Sequence, residues 1–188
     1  WDYKKPSFIA YFLLPLSVFL QFLNLIKKIF TTKRTFNSIK TICIGNIYIG
    51  GTGKTSLSLK IFEILKKKKL KSCFIKKDYI DQKDEQEILK KKGKLFKSNN
   101  RVIALQNAIK EEYKVAIFDD GLQDETINYD LNFICFNNIN WIGNGLTIPS
   151  GPLRENIKNI QNYSDIFING NLEDLEKIKE EILKINSK

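Results

Sequence analysis

Residues 49–55 read Ile-Gly-Gly-Thr-Gly-Lys-Thr, and their types suit phosphate binding. In the general pattern G-x-x-x-x-G-K-[ST], the first glycine would fall at position 48, which is Tyr48. The paired Gly50 and Gly51 before Thr52-Gly53-Lys54-Thr55 fit a known variant, G-G-x-G-K-[ST]. Consecutive glycines let backbone N–H groups point inward, and the following helix start adds partial positive charge. Lys54 would reach the β- and γ-phosphates, and the Thr55 hydroxyl would join a Mg²⁺ shell. Such a loop needs an acid at the end of a neighbouring strand. Val-Ala-Ile-Phe-Asp-Asp-Gly-Leu-Gln, residues 115–123, supplies Asp119 and Asp120 after an apolar run. Two adjacent carboxylates repel unless a cation or a proton lies between them, and Mg²⁺ is the expected cation.

Arginine is scarce. Of 31 lysines and arginines, only Arg34, Arg101 and Arg154 are arginine. A planar guanidinium binds phosphate oxygens bidentately, which lysine cannot do. Arg154 closes a segment, residues 141–155, that holds three of the ten glycines and two of the four prolines, so it reads as a loop.

The elements that must position these residues alternate. Strands are expected over 40–44, 71–75, 115–118, 132–136 and 165–168. Helices are expected from Lys54 to Lys69 and over 84–92, 102–110 and 172–185. Short apolar strands alternating with helices predict an α/β fold, three layers with a central, mainly parallel sheet. The phosphate loop and the acid pair should lie at the carboxyl edge of adjacent strands.

Residues 8–30 form the most apolar stretch. Its length approaches that of a membrane span, but Pro15, Ser17, Gln21 and Asn24 interrupt it. The last three share one helical stripe. Lysines flank the segment on both sides, which suits an amphipathic helix lying at a membrane surface better than a span or a packed core helix. Domain boundaries are therefore expected at 1–36, a membrane-associated region, and 37–188, a phosphate-loop domain.

The composition, 43% hydrophobic and 28% charged, is that of a folded chain. Its net charge of +10 favours anionic partners without selecting one. No aromatic–basic RNA motif accompanies the charge, so nucleic acid is not expected. No protein partner can be identified. Cys43, Cys73 and Cys135 lie in apolar runs without C-x-x-C spacing and read as buried thiols. The absence of histidine removes it as a base or ligand within these residues.

Three segments, GNIYIGGTGKT, FDDGLQ and NGLTIPSGPLRE, in this order and spacing, resemble the tetraacyldisaccharide 4′-kinase family. The opening WDYKKPSFIAYFLLPLS is similar to that family's N-terminal membrane-associated helix. The resemblance implies an ATP- and Mg²⁺-dependent kinase acting on the 4′-hydroxyl of a glycolipid, the lipid A disaccharide precursor, at the cytoplasmic face of the inner membrane. It implies nucleotide binding by Gly50, Gly51, Thr52, Gly53, Lys54, Thr55, Arg101 and Gln123. It implies metal binding by Thr55, Asp119 and Glu85, and catalytic roles for Lys54, Asp84, Asp120 and Arg154. Asp84 would be the general base, matching the aspartate of the family's G-D-E-P segment. By residue pattern alone it is a solvated acid at a helix start.

Departures are specific. The family's R-G-Y-G is replaced in residues 76–81, the flanks of G-D-E-P are lost, and a histidine after D-D-G-x-Q is Asp124. The family's second domain would follow Lys188, so the chain is expected to be an N-terminal nucleotide-binding portion. Two other readings stay open: a membrane-bound nucleotide switch of the same loop type, and a nucleotide-binding remnant without catalysis.

Overall fold

A computed structural model of the chain describes residues 5–78, 83–171 and 175–185. Six strands form one sheet: β1 (Lys40–Gly45), β2 (Ser72–Lys77), β3 (Leu95–Ser98), β4 (Val115–Asp119), β5 (Leu131–Asn137) and β6 (Asp165–Asn169). Their order is β3-β2-β4-β1-β5-β6. The helices are α1 (Phe8–Phe12), α2 (Leu14–Phe30), α3 (Lys54–Lys67), α4 (Lys83–Lys92), α5 (Arg101–Lys110) and α6 (Leu175–Ile185). The expected α/β class holds. By contacts the chain forms two compact units.

One unit comprises Thr32–Gly45 and Lys54–Phe133. Its pairings β1–β4, β2–β4 and β2–β3 are all parallel. Side-chain alternation explains the layering, because successive residues of a strand point to opposite faces. Cys43, Cys73, Ile75, Ala116 and Phe118 join Val102, Ala104, Leu105 and Ala108 of α5 in one apolar cluster. On the opposite face Phe74 packs on Phe62 of α3 at 4.6 Å between ring centroids. Asp119 also points there, to Ser58 of α3. Two helical layers therefore sandwich these strands. Asn100 caps α5, its side-chain oxygen accepting from the Val102 N–H at 2.9 Å. β3 was not anticipated. It spans only four residues, two of them polar, so alternation gives little signal.

The other unit comprises Trp1–Thr31, Asn46–Gly53 and Ile134–Lys188. The apolar N-terminal stretch is two helices, not one. The chain breaks at Leu13 because Pro15 lacks an N–H and enters α2 at its first turn. The expected polar stripe also divides. Ser17 is buried, with Oγ 2.9 Å from the Thr147 carbonyl and 2.8 Å from Ser150 Oγ, and it accepts from the Ser150 N–H at 3.0 Å. Gln21 donates to the Arg154 carbonyl at 3.2 Å, whereas Asn24 is exposed. Phe8, Phe12, Phe19, Phe22 and Phe30 are exposed. Among the described residues, no helix is long and apolar enough to cross a membrane. The expected helix over 172–185 is described from Leu175 onward, its first three residues lying outside the described set.

Candidate functional site

The register of β1 against β4 sets Ile44 opposite Asp119. The strand that ends in the glycine-rich turn and the strand that ends in the acid pair are therefore hydrogen-bonded neighbours. α3 starts at Lys54, so Lys54 and Thr55 stand in the first turn of a helix whose N-terminal N–H groups lack intrahelical partners.

Asp119 is fully buried. Its Oδ1 accepts from Ser58 Oγ at 3.1 Å, and its Oδ2 accepts from Thr55 Oγ1 at 3.3 Å and Lys76 Nζ at 2.6 Å. Lys76, on the inward face of β2, also donates to Glu85 Oε2 at 2.5 Å. Burial pulls down the Lys76 pKa, but the Asp119 and Glu85 carboxylates outweigh it, and the net direction is up. The cation beside Asp119 is thus a lysine of the chain itself.

Asp120 has a different environment. It takes a left-handed conformation, φ 61°, which aspartate tolerates better than most residues. Its carboxylate lies 3.9 Å from Lys54 Nζ, a loose ion pair. Its backbone carbonyl accepts from Arg101 Nη2 at 2.6 Å. Arg101 Nη1 bonds Asp124 Oδ2 at 3.2 Å, and Asp124 accepts from the Thr126 N–H at 3.1 Å. Burial would raise the Asp124 pKa, but the Thr126 hydrogen bonds and Arg101 hold it below the ordinary carboxylate value. Arg101, expected to touch nucleotide, here braces the turn that carries Asp120.

Within this unit the structure thus gathers Lys54, Thr55, Glu85, Asp119, Asp120 and Arg101 through direct contacts. Asp84 is exposed in the first turn of α4, adjacent to the Lys76-bound Glu85. Gln123 is exposed in the turn after β4. Of residues 76–81, those from 79 onward lie outside the described residues. Lys76 and Ser58 escaped the sequence reading. Lys76 had a signal, since Phe74 and Lys76 alternate with Cys73 and Ile75 in a strand buried on both faces. A lysine on an inward-facing position of such a strand needs a buried partner.

In the other unit, Gly50 has φ 135° and Gly53 φ 84°, conformations that favour glycine. Asn46 braces the turn by donating to the Tyr48 and Gly50 carbonyls at 2.5 and 3.1 Å. Asn137 donates to the Gly51 carbonyl at 2.9 Å. Thr52 is buried, and its hydroxyl has no hydrogen-bond partner among the described residues. Arg154 is half-buried, its N–H donating to the Ile47 carbonyl at 2.6 Å. The segment before it is irregular, as expected, but Ser150, Gly151, Pro152 and Leu153 are buried rather than solvated. The three cysteines are buried free thiols, and burial pushes the Cys73 thiol up to about 12.

The model of the tetraacyldisaccharide-1-P 4′-kinase family matches residues 9–97 and 84–187. The tetraacyldisaccharide 4′-kinase of Pelagibacter ubique (strain HTCC1062) is 61% identical over 187 residues, which are 99% of this chain and 59% of that protein. The Rickettsia bellii (strain OSU 85-389) protein of the same name is 29% identical, over 90% of this chain and 58% of its own length. A crystal structure of LpxK from Aquifex aeolicus in complex with ATP superposes with a TM-score of 0.72 at 21% identity, over 85% of this chain and 58% of that one. The chain therefore spans a little under three fifths of the relatives it matches. On the extent of the family match and the identity to the Pelagibacter protein, the chain belongs to the tetraacyldisaccharide-1-P 4′-kinase family.

Proposed function

We propose that this chain is the nucleotide-binding portion of an ATP-dependent kinase that phosphorylates the 4′-hydroxyl of tetraacyldisaccharide 1-phosphate, the lipid A precursor. The observation that carries this reading is the pairing of Thr55 with Asp119 and of Lys54 with Asp120 where α3 begins and β4 ends. Lys54 binds the β- and γ-phosphates as a point charge, and the first N–H groups of α3 add partial positive charge. Gly50 and Gly53 permit the loop conformation, and the buried Thr52 hydroxyl beside them has no hydrogen-bond partner among the described residues. The Thr55 hydroxyl and the Asp119 carboxylate are the hard oxygens that would hold a Mg²⁺ ion carried in by the nucleotide, although Lys76 Nζ lies 2.6 Å from the same Asp119 oxygen, so phosphate oxygens would have to complete the donor set. Magnesium commonly takes one or two carboxylates and completes its shell with water and phosphate oxygens. When bound, it neutralises charge on the transferring phosphoryl group. Asp84 accepts the proton of the acceptor hydroxyl, its exposed position leaving room for a substrate. Arg154 supplies a planar guanidinium to phosphate oxygens.

The acceptor is a glycolipid, so the reaction takes place at a membrane surface. The exposed phenylalanines of α1 and α2 and Lys27 and Lys28 in the last turn of α2 support docking at an anionic leaflet, the cytoplasmic face of the inner membrane. The buried Ser17 makes the exposed surface of α2 more uniformly apolar than its sequence stripe suggests.

Transfer of labelled γ-phosphate from ATP to tetraacyldisaccharide 1-phosphate in detergent micelles tests the reading, alongside equilibrium ATP binding. The expected result is ATP·Mg²⁺ binding that is lost in Lys54→Ala, and transfer that is lost in Asp84→Asn with ATP binding retained. Failure of the chain to bind ATP·Mg²⁺ would overturn the nucleotide site. Asp84→Asn transfer at the wild-type rate would remove Asp84 as the base. Co-sedimentation with anionic vesicles, reduced by Phe8→Ser and Phe12→Ser, tests the membrane contact.

A further inference from the structure

We propose that Lys76 is a resident cation that keeps the Asp119–Glu85 pair closed to free divalent metal, so that metal enters together with nucleotide. The inference rests on the nucleotide-site reading above. Lys76 is 1% exposed and its ammonium touches two carboxylates, one on β4 and one on α4. The oxygens lie 2.5 and 2.6 Å from Nζ. A Mg²⁺ ion binds oxygens at about 2.0–2.1 Å, so a shift of roughly half an ångström at each would suit the metal in the ammonium's place. The Thr55 hydroxyl approaches the same Asp119 oxygen. Without Lys76 the two carboxylates and this hydroxyl would surround an uncompensated point, the arrangement that recruits a divalent ion.

With Lys76 in place, Asp119 Oδ1 is taken by Ser58 and Oδ2 is shared by Lys76 and Thr55. A free dication would meet a fixed positive charge and would have too few ligands. Among the described residues, no group of three or more His, Cys, Asp or Glu side chains could hold a metal unaided. Phosphate oxygens supply the missing ligands and negative charge, and so make the metal–nucleotide complex the species that binds. Lys76 is a positioning residue here. It ties Glu85, and with it the first turn of α4 that carries Asp84, to β4.

The test is Mn²⁺ binding without nucleotide, followed by electron paramagnetic resonance, for the wild type, Lys76→Met and Lys76→Met/Glu85→Gln. The expected result is weak, non-saturating binding by the wild type, tightening roughly tenfold or more in Lys76→Met. Removing the second carboxylate in the double variant should return it to weak binding. If Lys76→Met folds only when metal is present, recovery of its circular dichroism spectrum by Mn²⁺ is the same positive result. Nucleotide-free Mn²⁺ binding by the wild type as tight as by Lys76→Met would overturn the proposal, as would a folded Lys76→Met with no gain. A wild type unable to bind ATP·Mg²⁺ would instead sink the nucleotide-site reading, and the Mn²⁺ comparison would still report on Lys76.

Discussion

Asp119→Asn keeps the shape of the side chain and removes its charge. Three donors converge on this carboxylate, and the strongest is Lys76, itself buried. Removing one partner of a buried ion pair costs about 3–5 kcal/mol, because the remaining charge stays desolvated. Glu85 still pairs with Lys76, but its side chain is 46% exposed and offers a weaker, screened contact. The expected cost is therefore near the lower limit, about 3 kcal/mol. For a domain of this size, 1 kcal/mol shifts the melting temperature by roughly 2–4 °C, so Asp119→Asn should melt about 6–12 °C lower. Thermal unfolding by circular dichroism measures this. Repeating the substitution in a Lys76→Met background completes a double-mutant cycle. In that background the substitution should cost nothing or stabilise, since it neutralises a buried carboxylate that Lys76→Met has left without its cation. A melting temperature within about 1 °C of wild type, or an equal cost in both backgrounds, would refute the argument that Asp119 and Lys76 compensate one another.

Three further outcomes are expected. Ser17→Ala should cost about 1–3 kcal/mol by leaving the buried Ser150 N–H without its acceptor; hydrogen exchange should then quicken at Ser150, and unchanged protection would refute the clasp. Gly51→Ala should fold as the wild type, because an added Cβ meets nothing within 4 Å and Gly51 is outside the left-handed region; ATP affinity, read by isothermal titration, should nevertheless fall roughly tenfold if phosphate occupies that space. Asp124 has a lowered pKa in the folded state, so it contributes stability above its unfolded value of about 3.9 that is lost as pH falls through the folded value. The stability gap between wild type and Asp124→Asn should thus be constant near neutrality and shrink below about pH 4, as urea unfolding at stepped pH would reveal; a gap that widens on acidification would contradict that sign.

Much of the site's identity was local and therefore legible in the chain. Three glycines, a lysine and a threonine at fixed spacing between a β-branched run and a helical pattern specify a strand, a turn and a helix start without any long-range contact. The two acids after Val115–Phe118 were equally readable, since an apolar strand that ends in aspartates needs a polar edge. The family resemblance lay in the same short segments, and the helices from α3 onward and every strand but the short, half-polar β3 were readable from helical spacing and apolar runs, whereas the break between α1 and α2 was not foreseen. What surrounds those residues was decided by tertiary structure. Adjacent in sequence, Asp119 and Asp120 diverge because strand alternation turns the first into the α3 face while a left-handed backbone aims the second at Lys54. Lys76 meets Asp119 across 43 positions of sequence because β2 and β4 pair in register, and no local pattern encodes that distance. Ser17, read as part of a polar stripe, is turned inward onto Thr147 and Ser150 some 130 positions away. Backbone propensity and spacing act within a few residues, whereas the partner of a buried charge or hydroxyl is whatever the folded chain brings beside it.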